Sequence, residues 1–262
     1  MKDDRHLLAA YDAQLRTDAE TAGALSTTTL GPLRLAIFAG GSGFVTYRDL
    51  GDADAADVGR LVEEALDLLR ADPSVTHVEW KTRGHDRAPG LHEALLRQGF
   101  VAEEPESIMV GGAELLAVDV ALPAGVAVRR LSTEDEVRAA SAVQDEAVGA
   151  PVSDGRAEDL LRRLELDETV ELWAAEVDGR VVSAGRLEPV PGSDFAGLWG
   201  GATLPAWRGR GLYRALTAAR ARSALRLGRT LLHSDSTEFS RPILERSGLV
   251  QVSTTTPYRR RR

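Results

Sequence analysis

Apolar residues recur every second position in some stretches and every third or fourth in others, and the switches between the two periods mark the elements. In the first half, residues 44–48 read as a strand and 55–70 as an amphipathic helix. A strand at 75–81 follows, then a short helix at 89–98 stopped by Gly99, and a last strand at 106–110. The second half opens with a strand at 126–130. Ser132-Thr133-Glu134-Asp135 then starts a helix with acids in its first turn, and its apolar spacing runs to Val148. A second helix covers 156–166. Strands at 172–177 and 181–187 are joined by Asp178-Gly179, a two-residue turn that favours a hairpin. A strand at 195–204, a helix at 210–227, a strand at 230–235, a short helix at 241–247 and a strand at 250–256 complete the chain. The order of the second half is strand, two helices, three strands, helix, strand, helix, strand.

The first half echoes the end of this order. Residues 91–100 and 240–249 are each a helix stopped by glycine and followed by an apolar residue. A tandem, partly degenerate duplication accounts for the echo, although helix-glycine-strand junctions also arise independently. Pro123 and Gly125 interrupt the pattern before the strand at 126, so the boundary is placed at residue 124, giving domains 1–124 and 125–262.

Composition narrows the function classes. With 262 residues, 43% of them hydrophobic, the chain can bury a sizeable core. No apolar run approaches the ~20 residues that span a bilayer. The N-terminus, Met1-Lys2-Asp3-Asp4-Arg5-His6, lacks a basic region followed by an apolar stretch, so a cytoplasmic protein with no membrane partner is expected. The absence of cysteine excludes disulfides and cysteine-ligated zinc, and five scattered histidines give no metal-ligand spacing, so no metal is expected. A net charge of -8 speaks against a nucleic-acid partner.

Local charge reverses that picture at one place. The strand at 195–204 runs through Pro205-Ala206-Trp207 into Arg208-Gly209-Arg210-Gly211-Leu212-Tyr213 and a helix. A helix start offers amide groups without carbonyl partners and a positive dipole end, and glycines let an anion come close, so this turn reads as a phosphate cradle. Residues 208–229 hold seven arginines and no acid, whereas 47–70 in the first half carry a net charge of -4. The first copy is therefore not expected to bind phosphate. Part of the basic helix is also simply solvated: Leu212, Leu216, Ala219, Ser223 and Leu227 form a core-facing stripe, and most arginines from Arg220 to Arg229 are expected at the surface. A dinucleotide-binding unit fits poorly, because its glycine fingerprint lies at the first strand of a parallel unit, whereas here three strands and a hairpin come first. Trp173 and Trp199 lie in strands and are expected in the core. The run Arg259–Arg262 is expected to be a frayed tail.

The element order, and a turn of the form Arg/Gln-x-x-Gly-x-Gly/Ala opening the long helix, resemble the GNAT superfamily of acetyltransferases over residues 125–262. Here the pattern reads Arg208 to Tyr213, with Tyr213 replacing the final small residue. The resemblance implies an α/β (α+β) fold with a mixed, mostly antiparallel central sheet flanked by helices, the acyl-CoA N-acyltransferase fold, preceded by a degenerate copy. It implies acetyl-CoA as co-substrate, held by Arg208, Gly209, Arg210, Gly211, Leu212 and Tyr213. Main-chain groups of Gly201, Ala202 and Thr203 would meet the pantetheine arm. Gly200-Gly201 fits a bulge that exposes amide groups toward the reacting thioester.

The implied chemistry is direct attack by an amine, small-molecule rather than protein lysine, on a monomer or homodimer. His233 is the candidate base, or else a hydrogen-bonded strand residue; Asp235 either orients it or caps the next helix. Glu188 and Asp194 stand either at the acceptor entrance or in solvent. Two departures are plain. Leu244 stands where many members carry a thiolate-protonating tyrosine, leaving Tyr258 or Ser236 as substitutes, and Ala196, Gly197 and Leu198 offer no glutamate. The rival reading is a non-catalytic CoA-binding sensor or interaction module.

Overall fold

The computed structural model describes residues 4–262; Met1, Lys2 and Asp3, part of the N-terminal reading above, lie outside the described residues. The elements are α1 (Arg5–Gln14), a 3-10 turn at Asp18–Thr21, β1 (Ser26–Leu30), β2 (Leu33–Phe38), β3 (Ser42–Tyr47), α2 (Ala55–Ala71), β4 (His77–Arg83), α3 (Leu91–Arg97), β5 (Val101–Ala102), β6 (Glu106–Gly112) and α4 (Ala113–Leu116). There follow β7 (Val126–Leu131), α5 (Glu134–Ala147), α6 (Asp154–Leu166), β8 (Glu171–Val177), β9 (Arg180–Pro189), β10 (Phe195–Thr203), a 3-10 turn at Pro205–Trp207, α7 (Leu212–Arg226), β11 (Leu231–Ser236), α8 (Arg241–Arg246) and β12 (Val250–Arg261). The predicted order of the second half stands as read, and the Asp178-Gly179 turn has both residues at positive φ, 48° and 77°. Capping boxes start two of the helices, Asp54 with Asp57 at α2 and Thr133 with Glu136 at α5.

The chain divides into two compact units that are not contiguous in sequence. The first comprises residues up to Ile108 with Asp235–Glu238 and Gln251–Arg262; the second comprises Met109–Ser234 and Phe239–Val250. A single cut at residue 124 therefore does not describe the division of contacts: 109–124 go with the second unit, and the last twelve residues go with the first.

In unit 1 the ladder runs β1-β2-β3-β4-β12, antiparallel except for the parallel pair β3/β4. Its core gathers Leu33, Val45, Val62, Leu66, Trp80, Leu95 and Tyr258. The expected frayed tail is instead the end of a strand, because Arg259, Arg260 and Arg261 pair in register with Glu79, Val78 and His77. Arg259 also reaches Glu79 at 3.0 Å and Glu103 at 2.9 Å. Unit 1 also has elements outside the sequence reading: α1, the 3-10 turn, β1, β2 and the two-residue β5. β1, Ser-Thr-Thr-Thr-Leu, is exposed along almost its whole length and so shows no apolar alternation.

Unit 2 repeats the scheme as β7-β8-β9-β10-β11, antiparallel except for the parallel pair β10/β11. One cluster of its core is built on Leu131, Val137, Leu172, Val182 and Leu216, another on Leu187, Leu198, Ala221, Leu232 and Leu244. Of the predicted stripe on α7, Leu212, Leu216, Ala219 and Ser223 are buried, but Leu227 is exposed, because the helix ends at Arg226 and the chain turns at Gly228. Arg220, expected at the surface, is 1% exposed. Both units are thus mixed, mostly antiparallel sheets with flanking helices.

Candidate functional site

The site grows out of the β10-α7 segment of unit 2. β10 pairs with β11 only from Phe195 to Gly197, and beyond that the parallel ladder stops. Its other ladder, with β9, is broken between Trp199 and Ala202, where Gly200 and Gly201 together face the single residue Gly185. This is a β-bulge, which lifts its extra residue out of the ladder. Gly200 takes a φ of 58°, open to glycine at no cost.

Three side chains hold the carbonyls around this kink. Gln144 of α5 donates to the Gly200 carbonyl at 2.8 Å, Ser183 of β9 to that of Ala202 at 2.7 Å, and Arg220 of α7 to that of Arg186 at 3.0 Å. With these acceptors occupied, the kink is fixed from both faces of the sheet. None of the three carried a sequence signal, since a lone Gln, Ser or Arg in a regular element looks like any other.

After Thr203 the chain makes the 3-10 turn and reaches α7 through Gly209 and Gly211, at φ of 73° and 80°. Gly211 is the N-cap in the left-handed region, and no side chain caps the helix. A Cβ at Gly209 would meet nothing within 4 Å, and one at Gly211 only Val120 at 3.9 Å and Ala121 at 4.0 Å. The chain is therefore open on the side where these two glycines lack a side chain.

The two arginines of the turn are already engaged. Arg208 donates to the carbonyls of Thr203 at 3.1 Å and Ala147 at 2.5 Å, tying the turn to the end of α5. The Arg210 guanidinium stacks 4.7 Å from the Trp207 ring centre. Leu212 is buried in the core, and the Tyr213 ring lies against Gly201, where a Cβ would come within 2.7 Å of it. The ring thus turns back toward the sheet, and burial raises the Tyr213 phenol above its ordinary pKa. Farther along, Arg214 and Arg246 line a cavity of about 80 Å³ with Leu115, Leu116 and Thr217.

On the α5 side of the sheet, register aligns two of the candidate catalytic residues. Gly197 pairs with Glu188 of β9 on one side and His233 of β11 on the other, so both side chains share a face across a residue that has none. Two strand spacings put their Cα atoms roughly 10 Å apart. Between them stands the partly buried Trp199, whose indole nitrogen occupies the space a Gly197 Cβ would take. His233 meets the rings of Trp199 and Phe195 edge to face, at 5.3 and 5.9 Å. Glu188 accepts from Arg163 at 2.5 Å and from Arg186 at 2.9 Å.

The other candidates lie elsewhere. Asp235 pairs with Lys81 at 2.7 Å within unit 1, and Asp194 is exposed at the start of β10. Tyr258 is part of the unit 1 core, its hydroxyl 2.7 Å from His92 Nδ1. Among the described residues no group of three or more histidine, aspartate and glutamate side chains is gathered to hold a metal, and no helix is long and apolar enough to cross a membrane.

A parallel strand pair that stops early, a bulge in the first of the two strands and a glycine-capped helix after it define the acyl-CoA N-acyltransferase fold. Residues 137–246 match the model of the acetyltransferase (GNAT) family, and this segment is a GNAT domain. Solved structures agree over the whole chain. A GCN5-related N-acetyltransferase from Kribbella flavida is 17% identical, with 98% of this chain and 95% of that one covered and a TM-score of 0.69. A tandem GNAT protein from the clavulanic acid biosynthesis pathway is 14% identical, with 99% and 96% covered and a TM-score of 0.64. A GCN5-related N-acetyltransferase from Sphaerobacter thermophilus is 15% identical, with 88% and 76% covered and a TM-score of 0.62. At such identities the likeness is one of fold. No curated protein sequence matches the chain.

Proposed function

We propose that unit 2 is an acyl-CoA-dependent N-acyltransferase that moves an acetyl group from acetyl-CoA to the amine of a small molecule, and that unit 1 is a degenerate GNAT-like partner without a cofactor turn. The observation that carries this reading is the uncapped, glycine-flanked start of α7, set directly after the bulged strand. The amides of Leu212 and Tyr213 and the field of the basic helix would hold the pyrophosphate, with Arg214 and Arg246 near enough to the same helix to add charge. Main-chain groups of Gly201, Ala202 and Thr203 would hold the pantetheine arm.

Bound acetyl-CoA supplies an activated thioester: the amine nitrogen bonds to the acyl carbon, the carbon-sulfur bond breaks, CoA leaves as thiolate and the nitrogen gives up a proton. In this reading His233 would receive that proton, and the ion-paired Glu188 across the row would orient the acceptor.

Calorimetric titration of CoA and acetyl-CoA tests the reading. Micromolar binding is expected, lost when Gly211 is made bulky and Arg208 is changed to glutamate; an intact protein that binds neither ligand sinks the assignment. With binding in hand, a screen of amines read by thiol release finds the acceptor. His233→Gln is then expected to lower kcat by roughly 100-fold with the acetyl-CoA Kd unchanged.

A further inference from the structure

Arg220 is a buried charge of an unusual kind. It sits in the middle of α7 at 1% exposure, its nearest charged neighbour is the like-charged Arg186, and none of its hydrogen bonds goes to a carboxylate. Buried arginines are ordinarily paired with acids, because an uncompensated charge in a protein interior is costly. Here the guanidinium is satisfied by neutral acceptors alone: the carbonyls of Leu216 at 3.3 Å and Arg186 at 3.0 Å, and Thr217 Oγ1 at 3.3 Å. Burial pushes its pKa down to about 10, so it keeps its positive charge at neutral pH.

The place it occupies gives that charge a direction. Tyr213, Thr217 and Arg220 form one stripe on α7, spaced four and three residues apart, and the Thr217 hydroxyl donates to the Tyr213 carbonyl at 2.9 Å. The stripe lies against the bulge: Tyr213 covers Gly201, and a Cβ at Gly185 would stand 2.7 Å from Arg220 Nη1. Gly185 is the residue that faces Gly200 and Gly201 across the broken ladder. Only a residue without a side chain therefore separates the guanidinium from the bulged strand. In a low-dielectric interior, a charge with no counter-ion acts over several ångströms.

We propose that Arg220 is a positioning residue whose uncompensated charge, acting through Gly185 on the β10 bulge, stabilises the thiolate that leaves during acyl transfer. This rests on the reading of unit 2 as an acyl-CoA site. It explains how the site works with Leu244 at the position where the family often carries a proton donor: a fixed cation lets the sulfur depart unprotonated, so no acid is needed. It also explains why residue 185 is glycine.

The test is a pH titration of CoA bound to the wild-type protein, following thiolate absorbance in the ultraviolet. The bound thiol is expected to ionise about one unit below free CoA. Arg220→Gln, which keeps donors but removes charge, is expected to return it to the free value while CoA still binds. Arg220→Lys and Thr217→Val, which leave the charge in place, are expected to preserve the shift. Glu188 and His233 are unchanged throughout, so the difference belongs to Arg220. A bound thiol that titrates like free CoA in the wild type, or a shift that survives Arg220→Gln, overturns the proposal while leaving the acyl-CoA reading intact. Failure of the wild type to bind CoA removes that reading and this one with it. The wild-type titration decides the matter even if Arg220→Gln does not fold.

Discussion

α2 and α7 each follow a strand and lead to a second strand parallel to it, yet their first turns are built on opposite chemistry. At α2 the Asp54 carboxylate accepts from the amides of Ala56 at 2.8 Å and Asp57 at 2.9 Å, and Asp57 reaches back to the Asp54 amide at 3.1 Å. Those amide bonds, from Asp57 and Ala56, hold the Asp54 carboxyl below the usual carboxylate range. The helix has, in effect, bound its own anion. At α7 the cap is Gly211, and nothing from the chain takes its place.

The same contrast runs into the sheet. Beyond the β3/β4 ladder, unit 1 is filled by charged groups that satisfy one another: Arg83 with Glu20, Thr46 with Glu20 at 2.7 Å, and Lys81 with Asp235 at 2.7 Å. Tyr11 is buried beside them, and burial raises its phenol above the ordinary value. Beyond the β10/β11 ladder, β10 of unit 2 carries Trp199 and the glycines Gly200 and Gly201. A scaffold of this kind is open to a ligand only where its own side chains leave the helix amides and the strand gap unclaimed.

The largest effect expected from testing this contrast falls on unit 1. Tyr258→Ala removes a side chain that is 7% exposed and its bond to His92, and should cost about 3 to 5 kcal/mol in urea unfolding. CoA binding retained by the folded variant would sharpen the comparison, and its loss would break it. Next comes Gly211→Val, expected to weaken CoA about 100-fold, or roughly 2.7 kcal/mol. Gly51→Val, at φ 62° just ahead of α2 and with nothing within 4 Å of its Cβ, should leave CoA affinity unchanged. Gly185→Ala would force Arg220 from its place, and about 2 kcal/mol of stability should go with it in thermal unfolding.

The smallest effect belongs to Asp54→Ala. A carboxylate whose folded pKa is depressed contributes stability above its unfolded pKa, about 3.9, and loses it as pH falls through the lower folded value. The wild type should therefore melt slightly higher than this variant at neutral pH, and the gap should close in acid.

How far the sequence could be read follows from the range of the forces involved. The β10-α7 turn was legible because its glycines, arginines and helix start act on near neighbours. The Asp178-Gly179 hairpin was legible for the same reason. β1 was not, since an exposed Ser-Thr-Thr-Thr-Leu edge carries no burial pattern. Arg220 was misread as surface because composition says that arginines face water; only the carbonyls of Arg186 and Leu216 and the hydroxyl of Thr217 make its burial tolerable. The terminal arginines were misread because a strand's partner is not written beside it.

By itself the sequence determined the element order, the second-half fold and the glycine-flanked, arginine-rich start of α7, all consequences of local backbone chemistry and periodicity. Tertiary structure decided the rest. It sent residues 251–262 to complete unit 1, aligned Glu188 and His233 on either side of Gly197, and set the charge of Arg220 behind the bulge. These depend on groups far apart in the chain meeting in space, and ladder pairing and desolvation are settled only when they meet.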